Sequence, residues 1–267
     1  CVNVRILRNK SERTLESGIY LSASTYSAAS GCQHVLVERN EVKTALNNGI
    51  LVVGGLDCVV RHNHVSGCYN AALQLYSAYE CTAESNVLDG NNLYSFNGVG
   101  SDGDAYAAIA LNGTGPGNGN VSASARYAVK LYRNMLEGNG QGLAASKQGI
   151  LLSYTAGAAG DNTIHLDGNS VRGTDKSVTG SSNVVVLDNN LLDTATDLTG
   201  TTVTLGSNLV ANATVSGPLT ASSATFGGTV DVTAGALLLK SGAPSSATDN
   251  SGQVGELRYD ADYVYVK

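Results

Sequence analysis

The chain has 267 residues, 42% hydrophobic and 14% charged, with 32 glycines, 3 prolines and no tryptophan; this is the make-up of an ordered, turn-rich β protein and excludes a disordered or charge-laced helical chain. Sixteen Lys and Arg against 22 Asp and Glu give a net charge of −6, which lacks the broad basic footprint of a nucleic-acid binder. No apolar run approaches the roughly 18 residues of a membrane-spanning helix, so neither nucleic acid nor membrane insertion is expected.

The chain opens on CVNVRILRNK, with neither an initiating Met nor a signal-peptide pattern, and is expected to start inside a longer structure. Five cysteines, Cys1, Cys32, Cys58, Cys68 and Cys81, fall in the first third without a CxxC pair. The odd number and the spacing read as reduced, mostly buried thiols rather than a zinc site. Cys58 and Cys81 hold equivalent inward places and are expected to be a stacked pair of free thiols.

Seven segments align on an asparagine: VRILRNKS (Asn9), VLVERNEV (Asn40), CVVRHNHV (Asn63), CTAESNVL (Asn86), VKLYRNML (Asn134), IHLDGNSV (Asn169) and VVVLDNNL (Asn189). The spacings are 31, 23, 23, 48, 35 and 20 residues, a basic period near 23 with insertions. A second strand follows in five units: GIYLS, GILVV, ALQLY, AIALN and GILLS. Such a repeat buries each unit only against its neighbours. With the handedness of parallel crossovers it predicts an all-β, right-handed parallel β-helix of about seven coils over 1–199. The asparagines then form a ladder that satisfies backbone groups at a bend.

Strand alternation sends Val4, Val35, Cys58, Cys81, Val129, Ile164 and Val184 inward, with Ile6, Val37, Val60, Ala83, Leu131, Leu166 and Val186 two residues on. Outward columns are Arg5, Leu36, Val59, Thr82, Lys130, His165 and Val185, and Leu7, Glu38, Arg61, Glu84, Tyr132, Asp167 and Leu187. Glu38, Arg61 and Glu84 thus make a ladder of alternating charge. It reads as an exposed salt-bridge ladder, or as a binding strip in which Arg61 holds an acidic sugar and Glu84 is an acid or base. His62 and His64 flank Asn63 at turn positions, with no third ligand at metal spacing.

The fourth unit carries the insertion LDGNNLYSFNGVGSDGDAYA, where Tyr94 and Phe96 offer faces for sugar stacking and Asp102 and Asp104 a carboxylate pair for glycoside hydrolysis. A tight turn or a weak Ca²⁺ site reads equally from SDGD, although further ligands are lacking. Outward residues of the second strand include Tyr20, Gln74, Tyr76 and Asn112, suited to sugars; Leu51, Val53 and Leu151 suggest a subunit contact. The glycine-rich loops over 113–127 and 137–148 read as bends, not phosphate cradles.

After about residue 200 the asparagine register stops and short Thr/Val/Ala strands follow, too thin for a core of their own. The end, GAPSSATDNSGQVGELRYDADYVYVK, carries Gly255, Glu256, Leu257, Arg258, Tyr259 and Asp260, then Tyr263, Val264, Tyr265 and Val266. This resembles the C-terminal hairpin of bacteriophage tailspikes and tail fibres. The resemblance covers about 25 residues by motif and the β-helix by architecture.

The resemblance implies a homotrimeric virion-tail protein that acts outside the cell. It binds a bacterial surface polysaccharide, capsule or lipopolysaccharide, and often degrades it, needs no cofactor, and attaches through an N-terminal part missing here. Residues 200–267 would then serve trimerisation or receptor binding. The candidate catalytic residues are Glu84, Asp102 and Asp104, and the candidate glycan contacts Arg61, Gln74, Tyr76, Tyr94 and Phe96. A lyase would draw on Arg61, His62 and Tyr76. A cellular pectate-lyase-like enzyme and a non-catalytic adhesin or structural fibre are the alternatives.

Overall fold

The computed structural model describes residues 1–22, 32–76, 79–91, 93, 107–114, 128–140, 148–155, 163–181, 184–199, 202–205, 209–216, 219–221, 257–259 and 264–266. The chain divides into Cys1–Ser223 and Ala224–Lys267. In the second unit Leu257–Tyr259 and Val264–Val266 pair antiparallel, the hairpin expected of the terminal motif.

The first unit is a parallel β-helix with three strand faces per coil. The first face stacks Arg5–Leu7, Leu36–Glu38, Val59–Arg61, Thr82–Glu84, Ala128–Tyr132, Thr163–Asp167, Val184–Asp188, Thr202–Leu205 and Leu219–Ala221. The second stacks Lys10–Glu12, Glu41–Lys43, His64–Ser66, Val87–Asp89, Met135–Glu137 and Ser170–Arg172 onto the start of Leu191–Thr199. The third stacks Ile19–Leu21, Ile50–Val53, Leu73–Tyr76, Ala107–Thr114, Gln148–Thr155 and Lys176–Ser181, and joins the later part of that same long strand.

The sequence pattern misses the second face. Its strands are three residues long, with a single inward side chain each, too short for alternation to register. Those inward residues, Val42, Val65, Leu88, Leu136, Val171 and Leu192, are all buried. They close the core between Val37, Val60, Ala83, Leu131, Leu166 and Leu187 of the first face and Ile19, Ile50, Leu73, Ile109, Ile150 and Val178 of the third. Each fully buried Val, Leu or Ile contributes roughly 1.5–3 kcal/mol, so the stacked columns carry the stability of the unit.

Sharp bends let three strands fit into 23 residues, and the bends are built in the left-handed backbone region. One column of such residues precedes the first face (Asn3, His34, Asp57, Glu80), one lies between the first and second (Arg8, Arg39, His62, Ser85, Arg133, Gly168, Asn189), and one follows the second (Arg13, Thr44, Gly67, Gly90, Gly138, Gly173). The non-glycine members have φ between 50° and 57°, at a cost of about 1 kcal/mol each. Their amides still bond across coils, as Arg8 N–H does to the Glu38 carbonyl at 3.1 Å.

The asparagine directly after the middle bend forms the ladder. Asn40 Oδ1 accepts from the backbone N–H of Asn9 at 2.8 Å and from its Nδ2 at 3.1 Å, while Asn40 Nδ2 donates to the Ile6 carbonyl and to Asn63 Oδ1, both at 2.9 Å. The pattern repeats through Asn63, Asn86, Asn134 and Asn169. Each buried amide thereby uses both donors and fills its acceptor. The last rung corrects the expectation. Asn169 bonds to Asn190, not Asn189; Asn190 is buried, and Asn189 is the exposed bend residue with φ 52°. The physical reason is register: Asp167 pairs with Asp188, so Gly168 matches Asn189. The inward residues of this coil are therefore Val185 and Leu187, not Val184 and Val186.

Five residues after the rungs Asn86 and Asn134 lies a second, shorter ladder. Asn91 Nδ2 donates to Asn139 Oδ1 at 3.2 Å, and Asn91 Oδ1 accepts from the Cys68 amide at 3.1 Å. The parallel stack also continues past residue 199: Val184 pairs with Thr202 and Val203 with Leu219. Parallel backbone pairing thus runs across residue 199 into the Thr/Val strands beyond it.

Cys1 and Cys32 are joined in a disulfide, against the expectation of five thiols. They lie eight residues before Asn9 and Asn40, in equivalent places on adjacent coils, with Cα atoms 4.5 Å apart, inside the range a disulfide needs. Cys58, Cys68 and Cys81 are free and buried.

Asn63→Ala strips partners from the Asn40 backbone N–H, Asn40 Nδ2 and the Val37 carbonyl; at about 1–3 kcal/mol per orphaned buried group it destabilises by about 3 kcal/mol or more in urea unfolding. Asn9→Ala, at the exposed first rung, shifts the same curve by under about 1 kcal/mol. Thiol labelling of the unfolded, unreduced chain captures three cysteines, and five after reduction. In the folded chain Cys68, whose thiol burial pushes up to about 11, resists alkylation at pH 8.

Candidate functional site

Alternation on the first face leaves two outward residues per coil, and the in-register stack turns them into columns with steps of about 4.8 Å. One column runs Leu36, Val59, Thr82, Lys130, His165, Val186; the other runs Glu38, Arg61, Glu84, Tyr132, Asp167, Asp188. The one-residue shift in the last coil replaces the expected Val185 and Leu187 by Val186 and Asp188. The face thereby gains a carboxylate that the sequence alignment had placed elsewhere.

The early coils concentrate positive charge around one acid. Glu38 Oε1 lies 3.4 Å from Arg61 Nε, 3.8 Å from Arg39 Nε and 4.0 Å from His62 Nδ1, and the Glu38 side chain is only 15% exposed. Arg61 therefore turns to Glu38, and among the described residues no ion pair reaches Glu84; the expected ladder of alternating charge is half formed. The buried Arg61 Nε has no hydrogen-bond partner of good geometry.

The later coils are acidic and aromatic. Tyr132 stands in register between Glu84 and Asp167, and Asp167 is followed by Asp188. Asp167 Oδ1 accepts from Asn189 Nδ2 at 3.1 Å, which fixes this carboxylate. Beside them Lys130 and His165 are in register neighbours. Partial burial and then the Lys130 ammonium hold His165 below the ordinary imidazole value, so His165 favours its neutral form.

The other expected site residues are dispersed. Gln74 and Tyr76 belong to the third face, where Gln74 Oε1 accepts from Asn48 Nδ2 at 2.7 Å and Tyr76 registers with Val53 and Asn112. The structure thus separates them from Arg61, His62 and Glu84. Val53 and Leu151 are buried within the single chain, so they do not form the exposed aliphatic patch expected of a subunit contact. Tyr94, Phe96, Asp102 and Asp104 lie outside the described residues. His62 occupies the bend as expected; His64 instead begins a strand and faces Asp89 across 3.4 Å. No group of three or more His, Cys, Asp or Glu suited to a metal occurs among the described residues.

Tyr132 and Asp167 were visible in the aligned column but carried no motif. Their grouping with Glu84 needs the stacking register across two long insertions. In NMR titration, His165 is expected to show a midpoint below about 6.5, rising when Lys130 is replaced by Gln. Because the folded midpoint lies below the unfolded one, the His165 contribution to stability is present above about pH 6.5 and is lost as pH falls through that range. His165→Gln flattens that part of the stability–pH curve.

Residues 1–88 match the family model described as right handed beta helix region. No curated protein and no solved structure matches the chain. The matched segment supplies the first coils of the parallel stack, and the two findings agree on a right-handed parallel β-helix, a fold compatible with proteins that bind or degrade carbohydrate.

Proposed function

We propose that the chain is the body of a bacteriophage tailspike or tail fibre. In this reading it is a homotrimer on the virion tail that attaches through a further N-terminal part, binds a bacterial capsule or lipopolysaccharide along the first face, and hydrolyses it there. The observation that carries the glycan reading is the single outward column Glu38, Arg61, Glu84, Tyr132, Asp167, Asp188 on a rigid sheet. An extended sugar chain laid along the stack meets, in order, a cation cluster, a carboxylate, an aromatic ring and two more carboxylates. The terminal hairpin, Leu257–Tyr259 with Val264–Val266, supports the virion assignment by its resemblance to tail-fibre ends.

Glu84 and Asp167 flank Tyr132 two coil steps apart, on the order of 10 Å at the backbone. That is the scale on which an inverting pair works, with about 6.5–9.5 Å between carboxyl groups to admit a water. One carboxyl protonates the glycosidic oxygen and the other takes a proton from the attacking water. The sugar ring stacks on Tyr132. Asp102 and Asp104 are the other acids proposed for this chemistry.

The test is incubation of the full chain with capsule and lipopolysaccharide from candidate hosts, with reducing-end release and solution mass as readouts. The expected result is a trimer that releases oligosaccharides. Glu84→Gln and Asp167→Asn should each slow release by about 10²-fold or more, the contribution of an acid–base group, while binding persists. Undiminished release by both variants removes the site assignment. Binding without release by the parent chain makes it an adhesin, and a monomer removes the tail-fibre reading.

A further inference from the structure

The bend between the first and second faces is held in the left-handed region at every coil, where glycine or asparagine is favoured over other residues. The later coils follow that preference with Gly168 and Asn189, while the earlier ones place Arg8, Arg39, His62 and Arg133 there, with φ of 55°, 56°, 54° and 51°. Non-glycine residues also hold the other two bends, where Asn3, His34, Asp57, Glu80, Arg13 and Thr44 lie, so what sets this bend apart is its side chains: three arginines and a histidine within five coils.

The arginines here are also in excess of their acidic partners. Arg39, Arg61 and His62 share the single carboxylate of Glu38, and Arg8 and Arg133 form no ion pair among the described residues. On the second face, by contrast, the two lysines are neutralised locally: Lys43 pairs with Glu41, and Lys10 with Glu12 at 3.3 Å. The row is not a by-product of a basic chain either, since the net charge is −6.

From these observations we infer that the Arg8–Arg39–His62–Arg133 row, with Arg61 beside it, binds a linear polysaccharide bearing carboxylates. This inference rests on the glycan reading above and names the class of glycan. The row runs along the stack for four coil steps, roughly 19 Å, long enough to engage several sugars of an extended chain. Glu38 shows the mode of recognition: a carboxylate drawn into a cluster of guanidinium and imidazole groups, with Arg donors left over for a second anion. A uronate held at Arg39 and Arg61 places the following sugars over Glu84, Tyr132 and Asp167. Nucleic acid fits less well, because among the described residues the face offers Tyr132 as its one tyrosine for base stacking.

Polygalacturonate and its fully methyl-esterified counterpart share a backbone and differ in charge, so they isolate the carboxylate. Binding of the full chain to each is measured by calorimetry from 50 to about 300 mM salt, with single-stranded DNA as a third probe. The chain is expected to bind the acid at least tenfold more tightly than the ester, with affinity falling as salt rises. The triple variant Arg8→Gly, Arg39→Gly, Arg133→Gly puts the residue favoured by the bend at each site. It should melt no lower than the parent and still lose tenfold or more of its affinity for the acid.

Equal binding of acid and ester, or a triple variant with unchanged affinity, overturns the inference and leaves glycan binding standing. Preference for DNA, lost in the variant, overturns it in favour of nucleic acid. If neither polymer binds, the inference fails, and the proposed function is decided by its own cleavage and mass measurements.

Discussion

The in-register stacking of one coil on the next, closed at the middle bend by the asparagine ladder, is the constraint on which everything else depends. A sharp bend leaves backbone groups facing the interior, where an unpaired donor or acceptor costs about 1–3 kcal/mol. Each ladder amide meets that demand within its own coil and its neighbours, donating to the preceding coil's carbonyl and to the next amide. Since the amide must lie directly above its equivalent, the ladder fixes register as well as stability. A slip of one residue would turn every inward column outward.

Fixed register converts sequence into columns, and the columns are where chemistry collects. Side chains 48 and 35 residues apart in the sequence, Glu84, Tyr132 and Asp167, become successive steps on one face. Register is kept across the long insertions: Glu84 pairs with Tyr132 and Tyr132 with Asp167. A repeating ligand matches such a surface better than a compact one does, because the surface itself repeats.

The face is graded rather than uniform. Arginines gather over the first three coils around Glu38, and carboxylates with Tyr132, alongside Lys130 and Arg133, occupy the coils beyond. At the bend, the ladder requires a left-handed residue ahead of it but not a particular side chain, so glycine, asparagine, serine, histidine and arginine all appear there. The backbone penalty for the bulkier ones is about 1 kcal/mol each, small beside the burial of one stacked leucine. The core therefore leaves the bend free to carry charge.

The repeat, the parallel β-helix, the inward columns of the first six coils and six of the seven main rungs were legible in the sequence, because an asparagine with alternating apolar neighbours recurs at a period set by the coil. The terminal hairpin was legible from its motif. What the sequence left undetermined is physical in origin. DGN and DNN align either way until Gly168 and Asn189 are seen to share a left-handed bend, which moves the rung to Asn190. Three-residue strands such as His64–Ser66 present one inward side chain and no period. The Asn91–Asn139 ladder has too few members to stand out, and Cys1–Cys32 needs the stacking distance rather than the spacing. Only the tertiary structure decided that Arg61 turns to Glu38 and that Gln74 and Tyr76 stand on another face. Side-chain partners across coils depend on which strands become neighbours, and adjacency is a property of the stack.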